Sequence, residues 1–305
     1  LYVPMMKPSL FDISRETDVG VALYSRKVMI QSCAKSILPK WLRFVRGVVD
    51  SEDIPLNLSR ELLQDSHLIR KINRALTTKV IRFLLDQAKR DPQQYLEFYH
   101  DFGLFIKEGI VITAEQDLRE DISKLLRFET SALPEGQRTS LTEYGQRMKA
   151  GARNIHFLAA PNRHLAMSSP YYEAALQKDP NAEVLFLYEP YDELVLMQLQ
   201  QFDRKNLRSL ENELVDDAAN TDTVDSKNEE SLLQEEASQL TDWVQEQLGK
   251  KVKKVKVTKR LTKHPCVVSI REMGAVRHFL RTSMADKTEE ERFALMEPVL
   301  EMNPS

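Results

Sequence analysis

Trp41-Leu42-Arg43-Phe44-Val45-Arg46-Gly47-Val48-Val49-Asp50-Ser51-Glu52-Asp53-Ile54-Pro55-Leu56-Asn57-Leu58-Ser59-Arg60-Glu61-Leu62-Leu63-Gln64 is the stretch on which the fold turns. Leu38, Trp41, Leu42 and Val45 follow Pro39 at helical spacing, which predicts a short amphipathic turn. Gly47-Val48-Val49 ends that turn and leads into extended chain. Residues 50–58 open with Asp50, Ser51, Glu52 and Asp53, and Pro55 holds Ile54 extended, so this piece reads as a loop. Ser59 is suited to cap a helix by accepting a bond from one of its first free amides. Beyond it Leu62, Leu63, Ile69, Ile72, Leu76, Val80, Phe83 and Leu84 keep an apolar stripe as far as Asp91-Pro92.

Arg60 is the odd residue of this stretch. It stands in the first turn of the predicted helix, where the macrodipole disfavours a cation. Gln64 lies four residues on and shares its face. A planar guanidinium beside an amide, next to a loop, suits anion or phosphate binding. The plain alternative is a surface arginine paired with Asp53 or Glu61, and the pattern alone favours that alternative.

Working outward, residues 21–31 read as a strand interrupted by Ser25-Arg26-Lys27. Pro92 suits the first position of a second helix, residues 93–107, with Tyr95, Phe98, Tyr99 and Phe102 on one side. Residues 114–128 and 141–149 read as two more helices, the latter ended by Gly151. The pattern then alternates: strand 152–160, helix 170–178 capped by Ser169, strand 183–188, helix 192–202. That order predicts a small mixed layer packed with helices. Residues 212–230 carry Asp216, Asp217, Asp222, Asp225, Glu229 and Glu230 with almost no large apolar residue, and read as an acidic linker or long loop. A helix (232–248), two strands (252–261 and 266–272) and two helices (274–284 and 289–300) complete the chain. The fold class expected is α/β (α+β), with a domain boundary near Asn212.

With 305 residues the chain is long enough for about two cores. A hydrophobic share of 42% against 29% charged describes a globular chain rather than a disordered one. The longest apolar runs fall far short of the roughly 20 residues a membrane helix needs. The 2 cysteines, Cys33 and Cys266, exclude a disulfide framework and suit a reducing compartment. Among only 9 glycines neither a G-x-x-x-x-G-K-[ST] nor a G-x-G-x-x-G loop occurs, so a nucleotide site would lie elsewhere.

Other candidates weigh less. Residues 250–260 are rich in lysine, but no aromatics are interleaved for base stacking, and a solvated strand with valines on its buried side is the better reading. The 6 histidines form no i,i+4 pair or H-E-x-x-H, so no metal site is expected. Asp50, Glu52 and Asp53 read as structural loop acids. Met273, Val276, Phe279, Leu280 and Met284 form a helical face with a sticky methionine content, for which ordinary core is the plain reading.

The stretch Trp41–Gln64 resembles, without a gap, the middle-segment signature of the ninety-kilodalton heat-shock-protein chaperones. Lys7-Pro8-Ser9-Leu10-Phe11-Asp12, Asp101-Phe102-Gly103-Leu104-Phe105-Ile106-Lys107-Glu108-Gly109-Ile110 and Glu272-Met273-Gly274 are similar to the same family, so the resemblance covers nearly the whole chain. Leu23-Tyr24-Ser25-Arg26-Lys27-Val28 and Ala159-Ala160-Pro161-Asn162-Arg163-His164-Leu165 resemble its mitochondrial branch, the tumour-necrosis-factor-receptor-associated chaperones, which implies the mitochondrial matrix. Cys266 departs from that pattern.

The resemblance implies α/β/α middle-segment layers (residues 1–130), a helical connector and smaller α/β part (131–211), the acidic linker (212–230), and a partial α+β C-terminal domain (231–305). It implies an ATP-driven, homodimeric chaperone acting on client proteins, with neither nucleic acid nor a membrane span involved. ATP with Mg would be held mainly by an N-terminal domain outside this chain. Arg60 matches the arginine that reaches the ATP γ-phosphate, Gln64 the glutamine one turn on, and Leu56, Asn57 and Leu58 the catalytic loop. Met273, Val276, Phe279, Leu280 and Met284 match the amphipathic client-contacting region. Starting at Leu1 and ending at Met302-Asn303-Pro304-Ser305, the chain reads as a fragment cut before the dimerisation helices, inactive toward ATP alone. A non-catalytic interaction scaffold is the alternative, and a basic nucleic-acid binder a remote third.

Overall fold

In the computed structural model, the residues described are 1–4, 20–54, 67–189, 191–220, 232, 234–270 and 298–304. They fall into two units, residues 1–127 with 140–144, and residues 128–139 with 145–305.

In the first unit β1 (Gly20–Ser25) pairs antiparallel with β2 (Val28–Gln31) and parallel with β3 (Arg46–Asp50). The single strand expected over 21–31 is thus a hairpin. Arg26 and Lys27 both take positive φ, +47° and +66°, the left-handed region that two-residue hairpin loops use, and this reverses the chain where alternation alone predicts continuity. Val21, Leu23 and Ser25 point inward, as the period of two requires.

The turn after Pro39 is a short 3-10 helix, Lys40–Leu42, whose Trp41 and Leu42 are buried. Helices α1 (His67–Arg90) and α2 (Pro92–Ile112) follow. Asp91 caps α2 by accepting from the Gln94 amide at 2.9 Å, and Pro92 takes the first position, where a missing N–H costs nothing. Phe44 packs among Phe98, Phe102 and Phe105 with ring centroids 5.0–5.9 Å away. The helix expected over 114–128 is confined to α3 (Gln116–Ser123), because Phe128 opens a strand.

The second unit is built on a six-stranded sheet with β4 (Phe128–Thr130), β5 (Arg138–Thr139), β6 (Asn154–Ala159), β7 (Val184–Leu187), β8 (Gln201–Phe202) and β9 (Lys205–Ser209). Its order is β5-β4-β7-β6-β9-β8, with β6 parallel to both β7 and β9. All four residues of β7 are buried, which is why Val-Leu-Phe-Leu reads as a continuous apolar run. Helix α4 (Leu141–Arg147), whose first residues belong to the first unit, opens on a capping box: the Ser140 amide donates to Glu143 at 2.8 Å, and the Glu143 amide donates to the Ser140 hydroxyl at 3.2 Å. Gly151 takes φ +87° after it.

Helix α5 (Arg163–Met167) is capped by Asn162, and α6 (Pro170–Lys178) by Ser169 as expected. Helix α7 (Asp192–Leu199) ends before the expected residue 202: Gln200 turns to φ +61° and the chain folds into the β8–β9 hairpin. The acidic linker is also corrected over its first part. Residues 210–220 form α8 (Leu210–Asn220), whose Leu210 and Leu214 are buried one turn apart while Glu211 and Glu213 suit the positive end of its dipole. Two leucines on one face are too few to show as a stripe in an acidic run.

Helix α9 (Gln234–Leu248) precedes β10 (Lys254–Val257), β11 (Cys266–Ser269) and β12 (Val299–Met302). Strand β12 lies centrally, parallel to β10 and antiparallel to β11. Val299 and Leu300 are therefore strand, not the end of the helix expected over 289–300. The helix expected over 274–284 lies outside the described residues. The described fold is mixed α/β, with helices on several mixed sheets.

Candidate functional site

Leu56, Asn57, Leu58, Arg60 and Gln64 lie outside the described residues, between Ile54 and His67. What the structure describes is the frame on both sides of that segment. Trp41, Leu42, Phe44 and Val45 are core residues, so the chain enters β3 from a fixed base. Arg43 is nearly buried: its guanidinium lies 4.4 Å from the Phe105 ring centroid and 2.6 Å from the Glu108 carboxylate. That combination of stacking and a charged bond is one an ammonium group cannot reproduce.

Past β3 the loop is held by the β1–β2 hairpin. The Lys27 amide donates to Asp50 Oδ2 at 3.2 Å, and the Ser51 amide donates to the Tyr24 carbonyl at 3.1 Å. The Ser25 hydroxyl donates to the Ile54 carbonyl, and both residues are buried. Asp50 is thus a turn-holding acid, in keeping with the structural reading of that cluster. On the far side, α1 buries Ile69, Thr77, Val80, Ile81 and Leu84, and Asn73 Nδ2 donates to the Ser36 carbonyl at 2.9 Å. Both ends of residues 55–66 are thereby anchored in the first unit.

Met273, Val276, Phe279, Leu280 and Met284 also lie outside the described residues. The chain leaves for residues 271–297 from β11 and returns into β12, and these two strands are paired directly, Ser269 opposite Val299. In the basic run, Val255 is buried and Lys254 exposed, the arrangement of a solvated strand. Lys256 reaches the buried Glu301 carboxylate at 3.3 Å, and the Ser269 hydroxyl donates to the same group at 2.9 Å. Among the described residues no cluster of three or more His, Cys, Asp or Glu is placed to hold a metal ion, and no helix is long and apolar enough to cross a membrane.

One junction in the second unit had no signal in the sequence. Glu173, in the first turn of α6, accepts from the Thr262 amide and hydroxyl and the Lys263 amide, each at 2.6 Å, and from the His264 ring. Burial raises the Glu173 carboxyl, but the bonds from His264, Thr262 and Lys263 outweigh it and bring it down to about 2. The other ring nitrogen of His264 lies 2.9 Å from the Ser168 carbonyl. Glu213 behaves similarly: the His156 ring nitrogen, 3.0 Å away, lowers its carboxyl to about 2 against the opposing effect of burial. Residues 173 and 264 are too far apart in sequence for any spacing rule to join them.

A family profile described as "Hsp90 protein" matches residues 1–305. The chain belongs to the Hsp90 family. It is 57% identical over 305 residues to the "Heat shock protein 75 kDa, mitochondrial" of Rattus norvegicus, covering 99% of this chain and 43% of that protein. It is 42% identical over 271 residues to the "Chaperone protein HtpG" of Desulfitobacterium hafniense, covering 88% of this chain and 42% of the relative. A mitochondrial TNF receptor-associated protein homologue of Dictyostelium discoideum is 41% identical over 285 residues, covering 92% and 39%. This Hsp90-family chain therefore spans less than half the length of the curated relatives it matches. Their names are those of chaperones and heat-shock proteins, and they group it with the mitochondrial members of the family.

Proposed function

We propose that this chain is the middle segment and the start of the C-terminal segment of an ATP-dependent mitochondrial chaperone that binds and remodels client proteins as a homodimer. The observation that supports this best is the ungapped likeness of residues 41–64 to the family's middle segment, together with the frame on either side of residues 55–66. Arg60 carries the chemistry in this reading. It reaches the γ-phosphate of ATP bound mainly by an N-terminal domain outside this chain, and a fixed cation there stabilises charge that grows in the transition state. By the family likeness Gln64 matches the glutamine one turn on, and Leu56, Asn57 and Leu58 match the catalytic loop. Magnesium, when bound with ATP, would neutralise phosphate charge.

Met273, Val276, Phe279, Leu280 and Met284 supply the client-contacting face in the same reading. Methionine's flexible thioether side chain suits a surface that must accept many apolar shapes.

Steady-state ATP hydrolysis by the isolated 305-residue chain, beside the full-length protein, tests the division of labour. The full-length protein is expected to turn over ATP and this chain alone is not. Saturable hydrolysis by the isolated chain would overturn the assignment of the nucleotide site to another domain. No hydrolysis by the full-length protein would leave only a non-catalytic scaffold.

A further inference from the structure

We propose that the Glu173 carboxylate is the latch of a movable joint within the second unit. It holds the three-stranded sheet β10–β12 against α6 and α8, and the joint opens while both sheets stay folded. Helix α6 faces two separate cores. Its Tyr172 is buried with Leu158, Val184 and Phe186 of the six-stranded sheet. Its Ala174 belongs to a second cluster with Leu214 of α8, Leu261 of the β10–β11 connection and Val267 of β11. Two of those four side chains come from each side of the joint. So small an apolar centre, one member of it an alanine, holds the two sides together only weakly. Each sheet, by contrast, is closed by its own ladder of backbone bonds.

What surrounds that centre is polar. The Tyr171 hydroxyl donates to the Val268 carbonyl, and the Arg260 guanidinium to the Leu214 carbonyl. Three successive amides, those of Thr262, Lys263 and His264, point at the one carboxylate of Glu173, at 2.6, 2.6 and 3.3 Å. The Thr262 hydroxyl and the His264 ring complete the cradle. A nest of backbone donors of this kind selects an anion, and a bond to an ionised acceptor is roughly twice as strong as a neutral one. The Glu173 side chain is 13% exposed, so these bonds are largely shielded from water. A large apolar core would make parting of the sheets and unfolding a single event. A small centre with a polar rim lets the two sides part first, as interfaces between domains do. The carboxylate in its cradle is then the contact that most opposes opening.

The test uses the full-length protein carrying Ala174→Cys, alone and combined with Glu173→Gln or Glu183→Gln. Ala174 is 5% exposed at the centre of the joint, so a thiol placed there meets a maleimide reagent when the joint opens. Peptide mapping separates that position from the exposed Cys33 and Cys266. Glu183 is the control, a carboxylate of the same unit that pairs with Arg147 at 2.6 Å and has no part in the cluster. Adding Glu173→Gln is expected to speed labelling at position 174 by about tenfold, the worth of one charge-assisted hydrogen bond. Amide exchange in β6, β7 and β12 is expected to stay within about twofold, because local opening leaves both ladders intact. Adding Glu183→Gln is expected to leave the labelling rate as it was. Unchanged labelling with Glu173→Gln, or an equal rise with Glu183→Gln, would overturn the latch. A rise matched by exchange throughout β6, β7 and β12 would overturn the joint, since position 174 would then be reached only by unfolding.

Discussion

Gly109 on α2 packs its Cα against the indole of Trp41: a Cβ built there would stand 2.7 Å from Trp41 Cδ2. Trp41 is 1% exposed and begins the stretch that runs on to Arg60, so it has little room to yield. Overpacking in Gly109→Ala costs about 1–3 kcal/mol and alanine gains ~1 kcal/mol over glycine inside a helix, so a net destabilisation of up to about 2 kcal/mol is expected. Urea unfolding followed by Trp fluorescence measures it. An unchanged or raised midpoint would show that the indole moves aside.

The β1–β2 turn holds Arg26 and Lys27 in a left-handed conformation that neither residue favours. Asn-Gly is the pair best suited to that geometry. Replacing Arg26-Lys27 by Asn-Gly is expected to raise stability by about 1–2 kcal/mol, since each residue is relieved of part of its strain. The Lys27 amide bond to Asp50 is made by backbone and survives the exchange. A lower denaturation midpoint in the double variant would mean that the cationic side chains themselves stabilise the turn.

Glu173 predicts a pH dependence with a definite sign. Its carboxyl lies at about 2 in the folded chain against an ordinary 4.5, so between these values the unfolded state binds a proton that the folded state does not. The stabilisation is therefore complete above about pH 4.5 and is lost as pH falls toward 2. Thermal midpoints of the wild type are expected to drop more steeply below pH 4.5 than those of Glu173→Gln. Parallel curves would remove Glu173 as a contributor. Glu213, lowered to about 2 by His156, adds a second loss in the same window, which Glu213→Gln should abolish separately.

Where local chemistry decided the outcome, sequence reasoning reached it. The Asp91-Pro92 junction, the Ser169 cap and the buried run of β7 each follow from a side chain acting on backbone within a few residues. Where the outcome depended on two left-handed residues without glycine, as at Arg26-Lys27, or on Gln200 at φ +61°, residue identity carried no signal. Helix α8 was missed because its acids concealed a two-leucine face, and the Glu173–His264 junction because only tertiary folding unites it. Arg60 was distinguished by family likeness far more than by its pattern, since a cation in a first helical turn has a plain surface reading as well.

The central claim is that Arg60 acts on ATP from this segment, and the direct test is ATP hydrolysis and nucleotide affinity of the full-length protein, wild type against Arg60→Ala. The account predicts that hydrolysis falls by tenfold or more, about 1.4 kcal/mol of transition-state stabilisation, while nucleotide affinity stays similar. Hydrolysis equal to wild type would contradict it, and the segment would then be a client-binding scaffold without a part in the chemistry.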